Sequence, residues 1–139
     1  MPLDDMEQVA SNWGTAPDNH AIEAAARASI ARLPGALRQY LDGVLLIVED
    51  FAEEDVLAQM GFENAYELTG LYSGRPVGEP AATGDLPATI HLYRLPILNE
   101  WIETGVRLDA LVHHVIVHEI GHHFGLSDDD MHRLEDSAG

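Results

Sequence analysis

Apolar positions first recur at helical spacing after Asp18-Asn19, either of which is a good N-cap. The alanine-rich run from His20 to Leu33 places Ile22, Ala26, Ile30 and Leu33 on one face, and Pro34-Gly35 stops it. A helix is expected there, with alanines suited to close packing on a sheet. Residues 1–17 carry Ser11, Asn12, Gly14, Thr15 and Pro17 and show no apolar period. They read as a flexible N-terminal arm, with Trp13 as a docking contact, ahead of a single domain over residues 18–139. Val44-Leu45-Leu46-Ile47-Val48 is a continuous apolar run, β-branched at three of five positions and ended by Glu49-Asp50. Such a run predicts a central strand buried on both faces. Glu53 to Met60 fits a short helix before Gly61. Tyr66 to Tyr72 alternates and runs into Ser73-Gly74-Arg75-Pro76, which predicts a strand and then a turn. A Gly-, Pro- and Ala-rich loop over residues 74–87 is long enough to be mobile. Ala88 to Tyr93 then reads as a further strand closed by Leu95-Pro96, followed by a helical stretch from Ile97 to Glu103 that carries Trp101.

The last long segment is apolar almost all round. It begins between Thr104 and Asp109, and Leu108, Leu111, Val112, Val115, Ile116, Val117, Ile120 and Phe124 cover most of a helical circumference. A helix of that kind must be nearly surrounded by the rest of its domain, and such burial holds side-chain geometry rigid. Beyond Asp109 its polar exceptions are histidines and one glutamate, and the run from His118 through Glu119, His122 and Gly125 to Asp128 spells H-E-x-x-H-x-x-G-x-x-D. Residues four apart lie about 40° from each other and one turn along, so the imidazoles of His118 and His122 can share one metal ion. Glu119 lies about 100° from His118. That sets a carboxylate beside the ion, placed to take a proton from water there. Gly125, without a Cβ, lets the chain leave the helix through a left-handed turn and swing back toward the ion. Asp128 is the first residue positioned as a third ligand, with Asp130 and Glu135 as the alternatives. Two imidazoles and one carboxylate leave a fourth position open, as catalytic zinc sites do. His113 and His123 point into the apolar sector and are read as packed or hydrogen-bonded. His114, about 40° from His118 on the other side, suits a supporting or substrate contact. Asp128-Asp129-Asp130 is expected to cap a last short helix through Glu135.

Composition narrows the chemistry. The chain of 139 residues has no cysteine, so any metal site uses His, Asp and Glu, and no disulfide or thiol nucleophile is available. Seven basic residues against 24 acidic ones give a formal charge of −17, which repels nucleic acid and anionic membrane. The acidic start Met1-Pro2-Leu3-Asp4-Asp5-Met6-Glu7 has no apolar core, and no run approaches the roughly 18 apolar residues of a membrane span. A cytoplasmic protein is expected.

The buried strand ending Val48-Glu49-Asp50, the Leu86-Pro87 to Arg94 segment and the H-E-x-x-H-H-F-G core with its acidic tail resemble a family of small bacterial zincin-like, or minimal, metallopeptidases. The family is widespread in actinobacteria and proteobacteria, and the likeness runs from about residue 18 to residue 135. The resemblance implies an α+β zincin-like fold, with the active helix under a small mixed sheet, and a zinc-peptidase-like site. It departs from the larger metzincins, which use a third histidine, a methionine turn well downstream and a C-terminal subdomain. Here Asp128 stands for the histidine, Met131 is too near the motif to be that turn, and 11 residues follow Asp128.

The expected function is therefore zinc-dependent peptide-bond hydrolysis, with His118, His122 and Asp128 on Zn²⁺ and Glu119 as general base. His114, His91 and Tyr93 are candidates to stabilise the oxyanion. The strand Ala88 to Tyr93 is the candidate edge for pairing with extended peptide or unfolded-protein substrate. With so little chain after Asp128 to wall the cleft, flexible peptides, basic ones above all, are the expected substrates. Two alternatives stand beside this reading: a zincin-like domain with weak or no catalysis that acts through protein contacts, and a metal-dependent nucleic-acid hydrolase, which the charge of −17 disfavours.

Overall fold

The computed structural model describes residues 14–74 and 87–126, together with positions 129 and 133. Asp18 opens helix α1 (Asn19–Ala31): its carboxylate accepts the Ala21 N–H at 2.8 Å, one of the amides a helix start leaves without a partner. Helix α2 (Gly35–Arg38) and a 3-10 turn at Gln39–Leu41 lead into strand β1 (Leu45–Glu49). Helix α3 (Glu54–Met60) ends at Gly61, left-handed at φ 79. A second 3-10 turn at Ala65–Glu67, started by the Asn64 side chain accepting the Tyr66 N–H, precedes strand β2 (Gly70–Ser73). Strand β3 (Thr89–Tyr93) passes directly into helix α4 (Arg94–Thr104), and helix α5 (Leu108–Phe124) follows. Asp129 and Arg133 are helical, where a last helix is expected. Residues 1–13, most of the expected arm and Trp13 with it, lie outside the described residues. So do residues 75–86 of the expected loop.

Among the described residues the sheet has three strands in the order β1-β3-β2, with β1 parallel and β2 antiparallel to β3. Together with its helices this is a mixed α+β fold. Two expectations about the strands are reversed. β1 is an edge strand, and Leu45 and Ile47 on one of its faces stay 48% and 37% exposed. The central strand is β3, buried at Thr89, Ile90, Leu92 and Tyr93, so it has no free edge to offer a substrate. A continuous apolar run marks a strand, and in β1 one face of that run stays open. Such a run carries no information about which neighbours cover it. The segment from Tyr66 divides as well: Ala65–Glu67 is a 3-10 turn and only Gly70–Ser73 pairs. Leu95-Pro96 does not end an element but lies in the first turn of α4, where proline's missing N–H would have no helical partner.

Side-chain alternation along β3 divides the interior into two cores. Ile90 and Leu92 join Ile22, Ala26 and Leu33 beneath α5, whose Val112, Ile116 and Ile120 are fully buried. Each such side chain contributes about 1.5–3 kcal/mol, so packing rather than helix propensity holds α5 in place. Tyr93, on the other face, packs with Ala52, Leu57 and Leu68. Arg94 ties this side together, donating to Asp50 Oδ1 at 2.9 Å and to the Pro17 carbonyl at 3.2 Å. Among the described residues no helix is long and apolar enough to cross a membrane.

Candidate metal centre

Helix α5 sorts its polar residues by direction. Its apolar residues turn into the core, and His114, His118 and His122 form an exposed stripe at four-residue spacing. The rings of His118 and His122 are neighbours, with centroids 4.9 Å apart and planes at 61°. Glu119 is only 5% exposed, and its Oε1 lies 3.4 Å from His122 Nδ1. Burial raises the pKa of this carboxyl, against the opposing pull of His118 and of a hydrogen bond from the Tyr72 main-chain N–H. A carboxyl that is screened from water yet next to two exposed imidazoles is thus assembled from one helix and one strand.

The helix then ends where a glycine allows it to. Gly125 adopts φ 66, its N–H donates to the His122 carbonyl at 3.2 Å, and the Leu126 N–H reaches back to the Gly121 carbonyl at 2.8 Å. These two bonds turn the chain sharply at the end of the histidine stripe. Asp128, Asp130, Glu135 and Met131 lie outside the described residues, and Asp129 is exposed. Among the described residues no group of three His, Asp or Glu side chains comes together to hold a metal. What is assembled is the pair His118 and His122, two exposed imidazoles one turn apart on a rigid helix. That pair fits the two-nitrogen half of an N/O zinc site, with a turn beside it that leads toward the expected third donor.

The remaining histidines divide as their angles suggest. His113 is buried between α1 and α5 with Nδ1 hydrogen-bonded to Ser29 Oγ, and His123 is buried with Nδ1 2.8 Å from the Tyr72 hydroxyl and Nε2 3.0 Å from the Tyr40 carbonyl. His91 and Tyr93, expected near an oxyanion, stand on the face of β3 turned from α5, stacked at 6.2 Å. Burial first, then Glu49, Glu119 and Glu53, push the Tyr93 phenol up to about 12, so it keeps its proton.

Two contributors were not foreseen. Gly70 on β2 lies so close to α5 that a Cβ there would meet Val115 Cγ1 at 2.8 Å, and Tyr72 supplies the main-chain donor to Glu119. A glycine inside a strand is the signal that could have found the first, since it marks close backbone approach. The second has no sequence signal, because any residue brings a main-chain N–H.

A family model described as zincin-like metallopeptidase matches residues 41–138. The match starts at the 3-10 turn before β1, leaving α1 outside it. No curated protein matches the chain.

Proposed function

The chain belongs to the zincin-like metallopeptidase family, and on that premise we propose that it is a zinc-dependent peptidase with Glu119 as general base. The observation that carries this reading is the pairing of His118 and His122, ring centroids 4.9 Å apart on the open face of α5, with the Glu119 carboxylate buried beside them. His118, His122 and Asp128 would hold the ion, which when bound supplies a Lewis acid that polarises a peptide carbonyl and activates water. Glu119 accepts the proton and hands it to the leaving amine. The upward shift of its pKa is in the direction such a carrier needs to exchange protons near neutral pH.

Substrate is held along β2, not β3. In the ladder with β3 the Tyr93 N–H donates to the Thr69 carbonyl, so Thr69, Leu71 and Ser73 face β3 while Gly70 and Tyr72 turn their main-chain groups to the other edge, where no further strand pairs among the described residues. An extended peptide or unfolded chain would pair there with the main-chain groups of Gly70 and the Tyr72 carbonyl, the Tyr72 N–H being held by Glu119, and the net charge of −17 favours basic peptides, less so as salt screens it. A pool of unstructured peptides incubated with the zinc-loaded protein tests the proposal. Cleavage is expected to stop on chelation, and Glu119→Gln should keep its zinc yet lose about 10²-fold or more in turnover. A Glu119→Gln protein as active as the parent would move the base elsewhere.

A further inference from the structure

The contact between β2 and α5 is closest at Gly70. A Cβ at that position would lie 2.8 Å from Val115 Cγ1, 3.2 Å from the His91 carbonyl oxygen and 3.4 Å from Glu119 Cγ, so only glycine lets the strand settle there. Two residues on, the Tyr72 main-chain N–H, which the ladder turns away from β3, meets the Glu119 carboxylate. Tyr72 is itself anchored. Its hydroxyl lies 2.8 Å from His123 Nδ1, and His123 Nε2 lies 3.0 Å from the Tyr40 carbonyl. A carbonyl only accepts, so Nε2 carries a proton toward the Tyr40 carbonyl, and Nδ1 shares the second hydrogen bond with the Tyr72 hydroxyl. With His123 buried at 6% exposure, the relay runs from the 3-10 turn at Gln39–Leu41 through the end of α5 to β2. Tyr40 adds an edge-on ring contact with Phe124 at 5.9 Å, fixing that turn on the same helix end.

We propose that β2 is the cradle of the general base: Tyr72 is a positioning residue whose main-chain N–H fixes the Glu119 carboxylate, and its phenol, braced through His123 on the Tyr40 carbonyl, fixes Tyr72. The role of Glu119 as base rests on the peptidase reading; the cradle itself does not. The strand edge that would receive substrate also aims the base, so displacement of β2 misdirects the carboxylate without touching His118 or His122. Gly70 and Tyr72 act together, the first by letting the strand approach and the second by making the bond.

Amide hydrogen exchange followed by NMR, on metal-free and zinc-loaded protein, tests this. Tyr72 faces away from its strand partner, yet its amide is expected to be protected in the wild type. In Glu119→Ala it should exchange about tenfold faster or more, the loss expected for a hydrogen bond to a charged acceptor, while Leu71, which faces β3, stays protected. Tyr72→Phe removes the brace and keeps the ring. It should speed exchange at position 72 by a smaller factor and lower kcat, with KM and zinc content unchanged. Equal exchange at Tyr72 in the wild type and Glu119→Ala would overturn the proposal, as would a Tyr72→Phe protein with unchanged exchange and kcat. The protection pattern in a protein that cleaves no peptide would uphold the cradle and overturn the peptidase reading.

Discussion

His113 and His123 are buried in the same helix whose His118 and His122 face solvent, and the two pairs have different partners. His113 Nδ1 is bonded to Ser29 Oγ, and His123 uses both ring nitrogens, on Tyr72 and Tyr40. His122 keeps about half of its side chain in water, with the Glu119 carboxylate 3.4 Å from its Nδ1. On α5 the angular position of a histidine decides its work. Those inside join elements to one another, and His118 and His122 stand side by side at the surface. His113 makes the cost visible: among the described residues its buried Nε2 has no hydrogen-bond partner, an arrangement worth roughly 1–3 kcal/mol against folding.

If this division holds, stability and metal binding separate cleanly between the pairs. His113→Ala should cost about 2–4 kcal/mol in denaturant unfolding, from the cavity and the hydroxyl left unpartnered at Ser29, and leave zinc affinity intact. Ser29→Ala should cost less, about 1–3 kcal/mol, because the ring still fills its space. Glu119→Gln should make the metal-free protein more stable than the wild type at neutral pH. The folded-state pKa of Glu119 is raised, so its contribution is fully present below the unfolded pKa and is lost as pH rises through the folded one. The uncharged glutamine has no such loss, and the gap between the two proteins should close toward acid pH in thermal melts. The smallest change is expected for His118→Ala, within about 0.5 kcal/mol in the metal-free state, since its side chain is exposed. A large loss there would erase the contrast between the pairs.

Local signals were legible in the sequence and partnerships were not. The Asp18 cap, the helix to Met60 before Gly61, the all-round apolar α5 and the turn at Gly125 all follow from residues close together in the chain. The packed state of His113 and His123 followed from helix angle. Strand order did not: Val44 to Val48 and Ala88 to Tyr93 are both apolar enough for a core, and only long-range pairing decided that β3 is central and β1 an edge. The short β2 was blurred because Tyr66, Leu68 and Tyr72 keep an alternating pattern across a 3-10 turn and a strand. The HExxH stripe could be read from spacing alone, because one helix carries it. The hold of Tyr72 on Glu119 arises where a strand meets that helix, which spacing along the chain does not encode.

Titration of the metal-free protein with Zn²⁺, followed by elemental analysis after gel filtration, tests the division of the histidines most directly. The account predicts about one zinc retained per chain, no stable retention in His118→Ala or His122→Ala, and full retention in His113→Ala, since a site left with one imidazole and one carboxylate cannot hold the ion tightly. Undiminished zinc in the His118→Ala and His122→Ala proteins, or none in the wild type, would contradict it.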